Sequence, residues 1–150
     1  MRSQLDQVSH IDGFCVTKVD TTEHAKEICK FLAAEEKRLG LPEQRLKVIP
    51  QIESTAAMAD CKEILSEGKG RFIAAAFGAD DFTADYEIER ADNDSNLAWF
   101  RNYFALCCHA RGVISIDTPY VHYKDQDGLK QELTYLKSIG MKAKFAIHPT

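Results

Sequence analysis

The chain has 150 residues, enough for one domain with a core of its own. It is 45% hydrophobic and 28% charged, as globular proteins commonly are, and its formal charge of −4 offers no basic footprint for nucleic acid. No apolar run approaches the roughly 20 residues that span a bilayer as a helix, so neither nucleic acid nor membrane is an expected partner.

The opening Met1-Arg-Ser-Gln-Leu-Asp-Gln-Val8 lacks the apolar stretch of a secretory signal and is too acidic for a transit peptide, so no leader is expected. Ile11-Asp-Gly-Phe-Cys-Val-Thr17 reads as a first strand ending at Lys18. Asp20-Thr-Thr-Glu23 has capping-box spacing, and Ala25, Ile28, Cys29 and Leu32 then recur at helical intervals. Gly40 followed by Pro42 is a stop signal. Lys47–Ile52 reads as a second strand running into Glu53, with a bulge or strand end expected at Pro50. Ser54 is placed to cap a helix whose apolar stripe is Met58, Cys61, Ile64 and Leu65, ending at Gly68.

Arg71–Phe77 is a short apolar run that reads as a buried third strand, broken by Gly78 and followed at once by Asp80 and Asp81. Residues 82–95 lack clean periodicity and predict a long loop; Phe100, Tyr103, Phe104, Cys107 and Ala110 mark the next helix. Gly112–Ile116 is the fourth strand, with Asp117 after it. Leu129, Leu133, Leu136 and Ile139 make the last helix, and Lys144–His148 the fifth strand. Strands alternating with helices imply an α/β fold with a parallel sheet. Its βα ends share one rim, where α/β proteins keep their chemistry, and this brings Lys18, Glu53, Asp80, Asp81 and Asp117 together.

Acids and a lysine on one rim suggest a hard divalent cation held by oxygen ligands. Glu53 and Asp81 end adjacent predicted strands and are the pair placed to share one ion. The bland alternative is that these acids cap helices. The five cysteines are odd in number and none lies in a Cys-x-x-Cys pair. That predicts an intracellular, reducing compartment, with cytoplasm and mitochondrion both open. Cys29 and Cys61 read as small core residues.

Four segments, Val48-Ile-Pro-Gln-Ile-Glu-Ser54, Phe77-Gly-Ala-Asp-Asp-Phe82, Gly112-Val-Ile-Ser-Ile-Asp-Thr118 and Lys144-Phe-Ala-Ile-His-Pro149, resemble successive motifs of the citrate lyase β-subunit group within the HpcH/HpaI aldolase family. The resemblance implies parallel units of a TIM-type (β/α)8 barrel, the last five strands only, as one partial domain over residues 1–150. It implies Mg2+ held by Glu53 and Asp81, which bind substrate through the metal, and by resemblance Asp80 is not a ligand; Lys18, Asp80 and Asp117 stay as possible rim residues from the topology. Thr17 stands where the family has proline before Lys18. No catalytic residue is assigned, and none is carried over to His148.

The implied reaction is cleavage or formation of the carbon–carbon bond of a 3-hydroxyacyl-CoA such as citramalyl-CoA or malyl-CoA. Its partners are an acyl-CoA and a 2-oxo acid, and the protein is expected to be a homo-oligomer. Family members are about twice as long. Their arginine-bearing substrate strand has no counterpart before residue 11, and their C-terminal extension has none here. Three alternatives stay open: a truncated, non-catalytic assembly partner, an aldolase on free 2-oxo acids, and a phospho-receiver domain. The last needs an acidic pair after the first strand, where Thr17-Lys18 stands instead.

Overall fold

The computed structural model describes residues 11–149; the expectation for Met1–Val8 concerns residues outside the described ones. β1 spans Gly13–Val16, shorter at both ends than the apolar run suggested. α1 (Thr22–Leu39) starts at Thr21, whose hydroxyl accepts the His24 N–H at 3.1 Å. Asp20 does not open a capping box, because its carboxylate is taken by the Ser54 hydroxyl at 2.6 Å. α1 ends at Gly40, at φ 67°, a left-handed conformation that glycine adopts without cost.

β2 (Lys47–Ile52) alternates buried Val48, Pro50 and Ile52 with half-buried neighbours. The bulge expected at Pro50 is present. Val48 pairs with Phe72 and Gln51 with Ala76, so three steps on β2 face four on the neighbouring chain. The extra residue lies on the 72–76 side, opposite Pro50, which has no N–H to donate to a regular ladder there. β3 is therefore confined to Ala74–Phe77.

The helix after β2 is broken at Asp60 into α2 (Thr55–Ala59) and α3 (Cys61–Ser66), with Ser54 capping the first. The predicted loop over 82–95 begins in helix, since α4 (Ala79–Asp85) follows β3 directly and runs into its first four residues. α5 (Ala98–Ala110) follows a single 3-10 turn, Ser95–Leu97. β4 (Ile114–Asp117) includes Asp117 rather than preceding it. α6 (Gln126–Ser138) leads to β5, which is only Ala143–Lys144.

The five strands are all parallel and run in the order β1-β2-β3-β4-β5. Each crossover steps the same way, so right-handed connections put every helix on one face. A receiver domain would reverse direction at a switch point, and the sequential order removes that alternative. The sheet is an arc of barrel wall.

The main core lies between sheet and helices, around Val48, Ile52, Phe77, Phe82, Phe104 and Leu136. The opposite face carries a small cluster of Ala74, Ala76 and Ile116. A buried latch ties α1 to the sheet. Glu36 accepts the Leu46 N–H at 2.7 Å and the Gln44 N–H at 3.1 Å, and both terminal nitrogens of Arg71 donate to it at 2.8 Å. Among the described residues no helix is long and apolar enough to cross a membrane.

Candidate metal and substrate cleft

Side-chain parity along β2 aims Glu53. Val48, Pro50 and Ile52 face the helices, so Ile49, Gln51 and the residue just past the strand face the other way. Glu53 is 4% exposed, and its Oε1 accepts the Lys18 N–H at 2.8 Å. Lys18 sits at φ 54°, a left-handed conformation uncommon for a non-glycine residue, and that turn aims its N–H at the carboxylate. Gly78 makes the space. A Cβ there would stand 2.7 Å from both Cβ and Oε2 of Glu53, so any larger residue displaces the carboxylate.

Asp80 and Asp81 both lie in the first turn of α4, and both are exposed. Neither is the N-cap, which is Gly78. Asp81 joins Glu53, Lys18, Asp20, Ser54, Ala84 and Asp85 around a cleft of about 280 Å3. Sequence reasoning missed Asp20 and Asp85 here. Asp85 is four residues from Asp81 and so on the same helix face, a spacing that could have found it. It holds the Thr55 N–H at 2.7 Å and the Thr55 hydroxyl at 2.6 Å, which keep its carboxyl below the usual range. A larger cleft of about 480 Å3 between β1 and α1 has the apolar lining of Phe14, Ile28 and Phe31 and marks the sheet's open edge.

Burial raises the Glu53 pKa, with the nearby charges of Asp81 and Asp20 adding to the rise and the Lys18 N–H opposing it. A carboxylate that is both desolvated and crowded by like charge is relieved by a cation. Among the described residues no three His, Cys, Asp or Glu side chains form a ready-made ion cage. Two carboxylates around open space fit Mg2+, which keeps several waters and takes one or two carboxylates plus substrate oxygens. They do not fit zinc, which calls for nitrogen and sulfur ligands in a closed set.

Asp80 is turned away, with its Oδ1 accepting Arg90 Nη1 at 2.6 Å. Asp117 is not on the rim either. It is fully buried on the helix side of β4, paired with Arg101 Nε at 2.9 Å and Lys144 Nζ at 2.7 Å. The physical reason is parity: Ile114 and Ile116 take the inner face, so Ser115 and Asp117 point outward. His148 stacks on Tyr123 with ring centroids 4.5 Å apart and does not line the cleft.

The sequence model of the HpcH/HpaI aldolase/citrate lyase family matches residues 5–149. The chain is 27% identical over 139 residues to the citrate lyase subunit beta of Leuconostoc mesenteroides subsp. cremoris, covering 93% of this chain and 46% of that protein. It is 29% identical over 114 residues to the mitochondrial citramalyl-CoA lyase of Rattus norvegicus, covering 71% of this chain and 34% of that one. The chain thus spans less than half the length of these curated relatives. A citrate lyase beta subunit from M. tuberculosis, solved with oxaloacetate and magnesium, superposes with a TM-score of 0.75 at 18% identity, over 99% of this chain and 62% of that one. At that identity the likeness shows the fold alone.

Proposed function

Because the chain belongs to the HpcH/HpaI aldolase/citrate lyase family, we propose that its Glu53–Asp81 cleft is the Mg2+-holding part of a carbon–carbon lyase site. The substrate class is a 3-hydroxyacyl-CoA such as citramalyl-CoA or malyl-CoA, divided into an acyl-CoA and a 2-oxo acid. One observation supports this most: a nearly buried carboxylate past the end of β2 and a first-turn carboxylate of α4 line one cleft at the C-terminal edge of a parallel sheet. Relatives named for citrate lyase and citramalyl-CoA lyase support the class.

Bound between Glu53 and Asp81, the ion would supply Lewis acidity toward the carboxylate and adjacent oxygen of the 2-oxo acid portion. The chain's own residues do the positioning. The Lys18 N–H fixes one oxygen of Glu53, and Gly78 leaves room for the other. Among the described residues, Lys18 is the one basic residue lining the cleft, where an anionic substrate would approach.

The test is Mg2+ titration calorimetry on the folded chain. Glu53→Gln and Asp81→Asn each lose binding, while Asp80→Asn keeps most of it, because an amide oxygen still accepts from Arg90. Unchanged affinity in either ligand variant would overturn the assignment. In a protein extended to the relatives' length, cleavage of citramalyl-CoA or malyl-CoA should require Mg2+ and disappear in Glu53→Gln. The 150-residue chain alone is expected to be nearly inactive, since it spans less than half the length of its curated relatives. Robust turnover by the chain alone would show that other residues carry the chemistry.

A further inference from the structure

We propose that Arg90 is a positioning residue for Asp81, clamping the first turn of α4 to a buried chain of charges so that the metal ligand is held in place. The proposal rests on Glu53 and Asp81 being the ion's ligands. α4 is only seven residues long, and its N-cap, Gly78, has no side chain to close the first turn. Helices this short do not hold their own conformation in water. Burial of Ala79, Phe82 and Thr83 holds its inner side, and two polar contacts outside the helix fix its two ends. Asp85 holds Thr55 at its far end. At its near end Asp80 accepts Arg90 Nη1 at 2.6 Å, although the Asp80 side chain is 73% exposed. Asp81 lies between these two anchors.

Arg90 is rigid enough to serve as an anchor. Its Nε and Nη2 grip the two oxygens of Asp94 at 2.6 and 2.7 Å. Asp94 is buried and also accepts Arg101 Nη2 at 2.8 Å. Arg101, buried in turn, forks onto both oxygens of Asp117 at 2.9 and 3.0 Å. Lys144 joins Asp117 to Glu132 on α6. Opposite charges thus alternate without a gap from the exposed Asp80 to the ends of β4 and β5. Forked arginine–carboxylate pairs fix orientation as well as distance. Buried ion pairs add little net stability over apolar packing, so what this chain of charges supplies is geometry.

The sign of the effect separates positioning from charge. Removing a positive charge near a cation site should tighten cation binding if Arg90 acts only through its field. Removing an anchor should weaken it. The test uses Mn2+ as the probe, titrated into the intact chain and read by its paramagnetic resonance signal, with thermal unfolding run in parallel. Arg90→Gln is expected to weaken Mn2+ binding about fivefold, the order of one coupling between neighbouring residues. Arg90→Lys, which keeps the charge but loses the fork, should recover part of it. Asp80→Asn/Arg90→Gln, with unchanged net charge, should bind no better than Arg90→Gln.

Arg90→Gln binding Mn2+ as tightly as the unaltered chain, while Asp81→Asn fails to bind, would overturn the positioning role and leave the ion site standing. Asp81→Asn binding as well as the unaltered chain would overturn both. If Arg90→Gln does not fold, Asp80→Ala carries the test from the exposed end. A weakening that persists when salt is raised from about 0.15 M to about 1 M supports positioning, because screening removes the charge effect. A weakening that vanishes with salt overturns it.

Discussion

Gly78 gives the Glu53 carboxylate its room, and this makes the two residues a single unit of the proposed ion site. A methyl group at position 78 would meet Cβ of Glu53, which cannot move without its backbone, as well as the mobile Oε2. Gly78→Ala is therefore expected to lower Mg2+ affinity at least about tenfold, or about 1.4 kcal/mol, with a smaller effect on thermal stability. Calorimetric titration beside a melting curve checks it; unchanged affinity would mean that Glu53 does not need its present position. That Glu53 and Asp81 share one cleft was legible in the sequence because an acid just past a buried strand stands out against apolar residues. Asp117 stood out in the same way and was misplaced. One residue of strand length decides which face such an acid occupies, and sequence boundaries are not that sharp. Arg90, Asp94 and Arg101 gave no signal, since charges on helices and loops ordinarily face water.

At the scale of elements, a long periodic helix was readable and a short one was not. α1 repeats its apolar stripe over 18 residues, while α4 buries Ala79, Phe82 and Thr83, a single instance of helical spacing. Periodicity needs repetition to be seen. α1 also depends on a contact that no pattern reveals, the Glu36–Arg71 latch. The hydrogen bonds from Arg71 come first in holding the Glu36 pKa down to about 2, with those from the Leu46 and Gln44 N–H groups assisting. A carboxylate whose folded pKa is depressed stabilises the fold above its unfolded value and loses that contribution as pH falls through the folded one. The latch thus contributes fully above about pH 4.5 and is lost toward pH 2. Glu36→Gln leaves Arg71 buried beside a neutral partner and is expected to cost about 3–5 kcal/mol. It should also flatten the acid limb of the stability curve between those two pH values. Urea melts at pH 6 and pH 3 check both; an equal loss at the two pH values would sink the linkage.

For the whole molecule, the question is what covers the inner face of the sheet. The five strands of the described residues are too few to close an eight-stranded barrel, and an unclosed sheet leaves two edges of unpaired backbone groups. Ile114 and Ile73 are about half exposed, and Cys15 on β1 is exposed. A few hundred Å2 of wet apolar surface, at about 25 cal/mol per Å2, amounts to several kcal/mol. A whole domain's net stability is only about 5–15 kcal/mol. The isolated chain is therefore expected to associate with itself, or to persist as a loosely ordered monomer that binds a hydrophobic dye. Cys15 reports which. Cys61 and Cys108 are fully buried in the core between sheet and helices, with burial raising the pKa of Cys108, so both should resist alkylation in any folded form. Cys15 should react fast in a monomer with an open face and slowly in an assembly that covers it. Sedimentation at low protein concentration, paired with alkylation mapped by mass spectrometry, distinguishes the two. A monodisperse monomer with a sharp unfolding transition, no dye binding and a protected Cys15 would show that the sheet closes its own face, and the open-arc account of this chain would fall.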